Sequence, residues 1–337
     1  MVCWTSCRRP CARSRSRSAY SIPVAYSEFN LIDEFFADLG VGRDDVILGI
    51  GDDCALLDVA EGRLLAVSMD TLVRGVHFFA DVDPESLGHK ALAVGLSDLA
   101  AMGATPAWAT LALTLPGIDR PWLRRFATGF GRLAARFGVQ LVGGDTTRGP
   151  MSISVQVHGL VASDGALRRG GAGVGDDIYV SGTLGDAGLV VRARQGDWPG
   201  DAAMLNDRLD RPEPRLALGQ ALSGIATAAI DISDGLSSDL GHILRASGVG
   251  AAIDLSAIPR SSTVAAVGDW ALPLASGDDY ELCFSVPPAH AEALMKRLDR
   301  VDVEVTRIGV IEPTPGIRWR LANGDLLDVG KGWEHFS

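Results

Sequence analysis

Hydrophobic positions along this chain switch repeatedly between helical and strand periodicity, and aspartate and glycine gather at the switch points. Residues 28–39 (EFNLIDEFFADL) place apolar side chains at 29, 31, 32, 35, 36 and 39, the spacing of an amphipathic helix. LLAVSM (64–69) predicts a strand that ends at Asp70. Asp83-Pro84-Glu85 is a helix start, with a capping aspartate and a proline in the first turn; the helix runs to about Met102 and stops at Gly103. LALTL (111–115) reads as a strand, and Trp122, Phe126, Phe130, Leu133 and Phe137 mark a helix over 121–137. VQLV (139–142) is a short strand ending in Gly143-Gly144-Asp145, and SISVQVHGLV (152–161) is a longer one.

From Ala172 the alternation restarts. DIYVSG is a strand and GDAGLVVRARQG a helix, whereas residues 198–214, rich in proline and charge, read as a surface excursion. AIDIS (229–233) is a strand that delivers Asp234 to a helix N-terminus. YELCFSV (280–286), a helix near 288–298 and VEVTRIGVI (303–311) complete a second unit. The fold class is therefore α/β (α+β) in two domains, over 27–165 and 166–337.

Composition narrows the partners. Hydrophobic content of 47% and charged content of 22% describe a soluble globular protein, and no apolar run reaches the ~20 residues of a membrane span. Net charge is −11, and residues 1–26 carry five arginines and no acid, so the body is more acidic still. Such a body repels nucleic acid and anionic membranes, but binds phosphates once metal ions supply positive charge. Residues 1–26 lack apolar periodicity and read as a disordered extension or a start-site artefact. Cys54 and Cys283 sit in apolar contexts and read as buried, reduced thiols, which fits a cytoplasmic protein.

Candidate chemistry lies in five aspartate segments: GIGDDCALL (49–57), SMDT (68–71), LSDLAAMG (96–103), GGDTTRGP (143–150) and AIDISDG (229–235). Compact carboxylates beside glycine and serine suit a hard cation and let a phosphate approach the backbone. Any one segment could be a turn, and Asp52 is best read that way. There is no P-loop, no dinucleotide fingerprint, no protein-kinase signature and no nucleophile elbow. A nucleotide would have to be held by carboxylates and divalent metal.

These segments, with SMDTLVRGVHF, KALAVGLSDLAAMGATPAW, GDDYELCF and KGWEHF, resemble the thiamine-monophosphate kinase family, in order, from about residue 28 to 336. The resemblance implies an aminoimidazole ribonucleotide synthetase-like fold and a homodimer paired through the N-terminal domain. It also implies transfer of phosphate from ATP to thiamine monophosphate with several Mg2+ ions. It assigns Asp53, Asp70, Asp98 and Asp145 as the main Mg2+ ligands, Ser68 and Met69 as flanking ones, and Asp231 and Asp234 as those of the second domain. Gly144, Asp145, Arg169 and Ser233 match nucleotide contacts; His77, Asp278 and Trp333 match thiamine phosphate contacts. Met69 departs from the threonine of relatives, Asp278 from glutamate, and Trp333 stands where tyrosine also occurs. The chemistry agrees: the acceptor is itself a phosphate, mostly deprotonated at neutral pH, and needs relief from charge repulsion more than a general base. Rival readings are a sister enzyme of the superfamily or a non-catalytic, metal-dependent sensor.

Overall fold

The computed structural model describes residues 28–321 and 323–327; the extension 1–26 and Trp333 fall outside them. The first half contains α1 (Glu28–Phe35), β1 (Val46–Leu48), β2 (Leu56–Leu57), β3 (Arg63–Val73), α2 (Pro84–Ala101), β4 (Thr105–Leu115), α3 (Arg120–Arg136), β5 (Gln140–Arg148) and β6 (Ser152–Ala162). A four-stranded sheet runs β3-β6-β4-β5, antiparallel except for the β4–β5 pair. β3 and β5 do not end at their aspartates. Both continue past them, because Asp70 pairs with Val155 of β6 and Asp145 with Ala112 of β4.

The capping signal at Asp83 holds: its carboxylate accepts from Ser86 N–H, and Pro84 opens α2. α2 is buried on almost every side, including the polar Ser86, His89, Lys90 and Ser97. A helix buried all round is central to its protein. It packs against α3 so closely that a Cβ at Gly129 would lie 1.8 Å from the Glu85 carbonyl oxygen.

The second half contains β7 (Asp177–Ser181), α4 (Asp186–Gln195), α5 (Asn206–Asp210), α6 (Leu216–Leu222), β8 (Ala228–Asp231), α7 (Leu236–Ser247), β9 (Gly250–Asp254), α8 (Ser262–Val267), α9 (Ala271–Ala275), β10 (Leu282–Val286), α10 (Ala291–Leu298), β11 (Val305–Glu312), β12 (Gly316–Arg320) and β13 (Leu326–Leu327). Its sheet has seven strands in the order β13-β12-β9-β11-β7-β10-β8, with β9–β12 parallel. The expected surface excursion over 198–214 is only partly one: Ala202 and Leu209 are buried. Arg208 and, just beyond it, Arg215 reach inward to the buried Glu281 at 2.9 and 2.5 Å. Cys283 is buried as expected, but Cys54 is exposed, because it sits in the turn before β2 and not in a strand.

α2 joins the halves. It contacts α6 and β8 of the second half, and the Ser97 hydroxyl donates to Asp231 Oδ2 at 2.8 Å. Lys90 pairs with Asp278 at 3.2 Å.

Candidate active site

Side chains on β3 alternate between faces. Ser68 and Asp70 turn toward α2, whereas Val67 and Met69 are exposed on the opposite face. The Met69 thioether therefore cannot join Ser68 and Asp70; only its carbonyl could. Gly95 on α2 faces the same region: a Cβ there would stand 3.1 Å from both Val157 Cγ atoms and at ordinary contact distance, 3.5 Å, from Asp70 Oδ2. The Ser68 hydroxyl donates to Asp98 Oδ2, and Asp231, at the end of β8, completes the group.

These three carboxylates repel one another in a buried setting. Burial, then repulsion from Asp98 and a hydrogen bond with it, push Asp70 up to about 7. Burial also raises Asp98, although Ser68 and Arg169 oppose the shift. Asp231 is raised well above the usual carboxylate range by burial and then by Asp98. With the acids ionised, Asp70 Oδ2 is buried and has no hydrogen-bond donor among the described residues. A buried carboxylate oxygen without a donor is destabilising unless a proton or a cation reaches it. Carboxylate oxygens are the donor type a hard divalent cation takes, although the three acids are not placed around one common point.

Asp239, on the first turn of α7, carries no sequence signature that separates it from a solvated helix residue. Its carboxylate accepts from the backbone N–H groups of Ser233 and Asp234 at 3.1 and 3.0 Å, and burial pushes it up to about 7. It thereby fixes the loop that presents both residues. Arg169 is exposed and lies within electrostatic range of Asp98 and Asp239.

Asp53, Gly144 and Asp145 stand elsewhere, lining a cavity of about 670 Å3 with Asp33, Phe36 and Thr110. Gly144, at φ 155°, must be glycine: a Cβ would lie 1.9 Å from the Leu111 carbonyl oxygen. Asp52 accepts from Asp53 N–H at 2.8 Å, as a turn residue does. Among the described residues, no three His, Cys, Asp or Glu groups are placed to hold one metal. The eight expected ligands are thus not gathered around a single point.

His77 and Asp278 do meet, in a pocket of about 100 Å3 that Phe79, Lys90, Gln195 and Leu209 also line. His77 Nδ1 accepts from Val73 N–H at 3.0 Å, so its ring proton sits on Nε2. Asp278 has a left-handed backbone, φ 61°, and its carboxylate is held by Lys90 and by the Tyr280 hydroxyl at 2.9 Å. Sequence pattern alone does not single out Lys90, which sits inside a largely apolar helix; a lone lysine there is the available signal.

Comparison with known proteins identifies the architecture. The family models for AIR synthase related protein match residues 51–161 (N-terminal domain) and 173–321 (C-terminal domain). The thiamine-monophosphate kinase of Salmonella typhimurium is 48% identical over 325 residues, covering 93% of this chain and 99% of its own. The chain belongs to the thiamine-monophosphate kinase family. A more distant family member, from Haemophilus influenzae, is 45% identical over 93% of this chain and 99% of its own. The crystal structure of the Stenotrophomonas maltophilia member matches with TM-score 0.78 and 45% identity, covering 85% of this chain and 93% of that one. AaThiL complexed with AMPPCP and TMP matches with TM-score 0.71 and 30% identity over 92% of this chain and 97% of its own. The family shares its fold with hydrogenase maturation protein HypE, solved with ATP, at TM-score 0.72 and 26% identity, covering 90% of this chain and 94% of that one.

Proposed function

We propose that this chain transfers the γ-phosphoryl group of ATP to thiamine monophosphate, giving thiamine diphosphate, with Mg2+ held by its aspartates. Identity of 48% along nearly the whole length supports the activity, and the relative bound to AMPPCP and TMP supports the two substrates. The observation within the molecule that carries the reading is the electrostatic coupling of Asp70, Asp98 and Asp231, drawn from both halves, beside an Asp70 oxygen with no hydrogen-bond donor among the described residues. Asp53, Ser68, Asp70, Asp98, Asp145, Asp231 and Asp234, with the Met69 carbonyl, would hold Mg2+. Bound there, the ions supply the positive charge that lets two phosphates approach in line.

The chain's own groups do the rest. Gly144 and Asp145 form the wall along which the nucleotide lies, with Arg169 and Ser233 beside its phosphates. His77, whose proton is fixed on Nε2, donates to the acceptor molecule. Asp278 offers its carboxylate to the cationic thiamine moiety; Trp333, outside the described residues, is the further thiamine contact that the family resemblance implies. No residue need remove a proton, since the acceptor phosphate is already ionised.

The open face of β3, with Val67 and Met69 exposed along an edge strand, supports pairing with a second copy in a homodimer. The division into 27–165 and 166–337, and a cytoplasmic location, complete the reading. Purified protein incubated with ATP, Mg2+ and thiamine monophosphate should yield thiamine diphosphate together with an equal amount of ADP. ADP without thiamine diphosphate, or tight binding with neither product, would leave a sensor or another phosphotransferase.

A further inference from the structure

We propose that Lys90 is a substrate-positioning residue, which acts by holding the Asp278 carboxylate in the orientation that receives the cationic end of thiamine monophosphate. This rests on the thiamine phosphate reading of the small pocket. Lys90 has a side chain only 3% exposed, on a helix that is otherwise apolar along much of its length. Burying an ammonium there is unfavourable unless it is paired, and an apolar residue of similar volume would pack as well. Its partner is Asp278 Oδ2 at 3.2 Å, while Tyr280 donates to Oδ1 at 2.9 Å. Asp278 and Tyr280 both have left-handed backbones, φ 61° and 50°, a strained arrangement that surrounding contacts must impose.

Lys90 comes from the first half of the chain and Asp278 from the second, so the pocket's acceptor is set only when the halves are docked. The Asp278 carboxylate in turn offsets the lysine's charge, so that the buried ammonium does not repel a cationic ligand. Lys90 and Asp98 lie on one face of α2, separated by about 12 Å of helix rise. The helix thereby fixes the distance between the thiamine end and the phosphate end of the site.

The test is steady-state kinetics of Lys90→Met with thermal melting of the same samples. The KM for thiamine monophosphate should rise about tenfold to a hundredfold. The KM for ATP and the kcat at saturating thiamine monophosphate should stay close to wild type. In an Asp278→Asn background the same substitution should add little, since both act through one carboxylate. An unchanged KM for thiamine monophosphate, or effects that add fully in the double variant, would overturn the proposal. If Lys90→Met does not fold, Lys90→Arg keeps the charge but alters its geometry, and an unaltered KM there counts against the proposal equally. A wild-type protein that makes no thiamine diphosphate would sink the reading of the pocket, and this proposal with it; normal wild-type activity beside an unaffected variant sinks the proposal alone.

Discussion

Glu281 and the group Asp70, Asp98 and Asp231 are carboxylates withdrawn wholly or partly from solvent, and they are treated in opposite ways. Glu281 is fully buried, yet Arg215 at 2.5 Å, Arg208 at 2.9 Å and the Ser181 hydroxyl at 2.6 Å surround it. Burial alone would raise it, but the two arginines hold it below the usual glutamate value. Asp70, Asp98 and Asp231 are raised instead, with serine hydroxyls and a more distant, exposed Arg169 for company. The first set carries its own counter-charge and ties α5 and the start of α6 to β10. Among the described residues the second has no buried cation of its own, and the proposed Mg2+ loading rests on that difference.

Substitutions should separate the two sets. Asp98→Asn is expected to cut turnover roughly a thousandfold, about 4 kcal/mol of transition-state stabilisation, while the melting temperature holds or rises. A lowered melting temperature with normal turnover per folded molecule would reverse the assignment of Asp98. Glu281→Gln should do the opposite, costing about 3–5 kcal/mol of stability in urea unfolding by leaving two arginines uncompensated. Stability within about 0.5 kcal/mol of wild type would show the network to be peripheral.

The pH response should differ in sign. Glu281 is depressed, so its contribution is present above the ordinary carboxylate range, about 4.3, and is lost as acid protonates it. Asp70 is raised to about 7, so its contribution is full below the unfolded value and fades as pH rises through 7. Metal-free protein should therefore melt a few degrees lower at pH 8 than at pH 5.5, and Mg2+ should restore the difference. Equal melting temperatures without metal would argue that the cluster bears no strain. The smallest effect concerns Met69, next to Asp70 but on the other face of β3. Met69→Asp should convert dimers to monomers in light scattering and leave unfolding stability within about 0.5 kcal/mol; an unaltered mass would remove this face from the interface.

Helix positions were legible from sequence because their signals are local. The Asp83 cap, Pro84 and the aromatic stripe of 121–137 each lie within a few residues of what they specify. The sequence pattern places the ends of β3 and β5 at Asp70 and Asp145, since aspartate and glycine are poor strand formers. In both cases cross-strand pairing overrides propensity, and at Gly144 the close approach of Leu111 requires the glycine. The aspartate segments are legible as candidate ligands one by one, but which acids lie near one another depends on tertiary structure: Asp70, Asp98 and Asp231 interact electrostatically, while Asp53 and Asp145 line another cavity. Lys90, Asp239 and the Glu281 network were not visible, because their partners are set by packing between segments and carry no spacing signature.

Phosphoryl transfer to thiamine monophosphate is proposed to require Mg2+ loaded on the carboxylate set. The most direct test of that requirement is thiamine diphosphate formation at fixed ATP and thiamine monophosphate while Mg2+ is titrated past the ATP concentration, in wild type and in Asp231→Asn. The wild-type rate should keep rising after ATP is saturated, as the protein's own sites fill, and Asp231→Asn should lose most of that second rise. A wild-type rate that levels off once ATP is saturated, or an Asp231→Asn curve identical to wild type, would contradict the account.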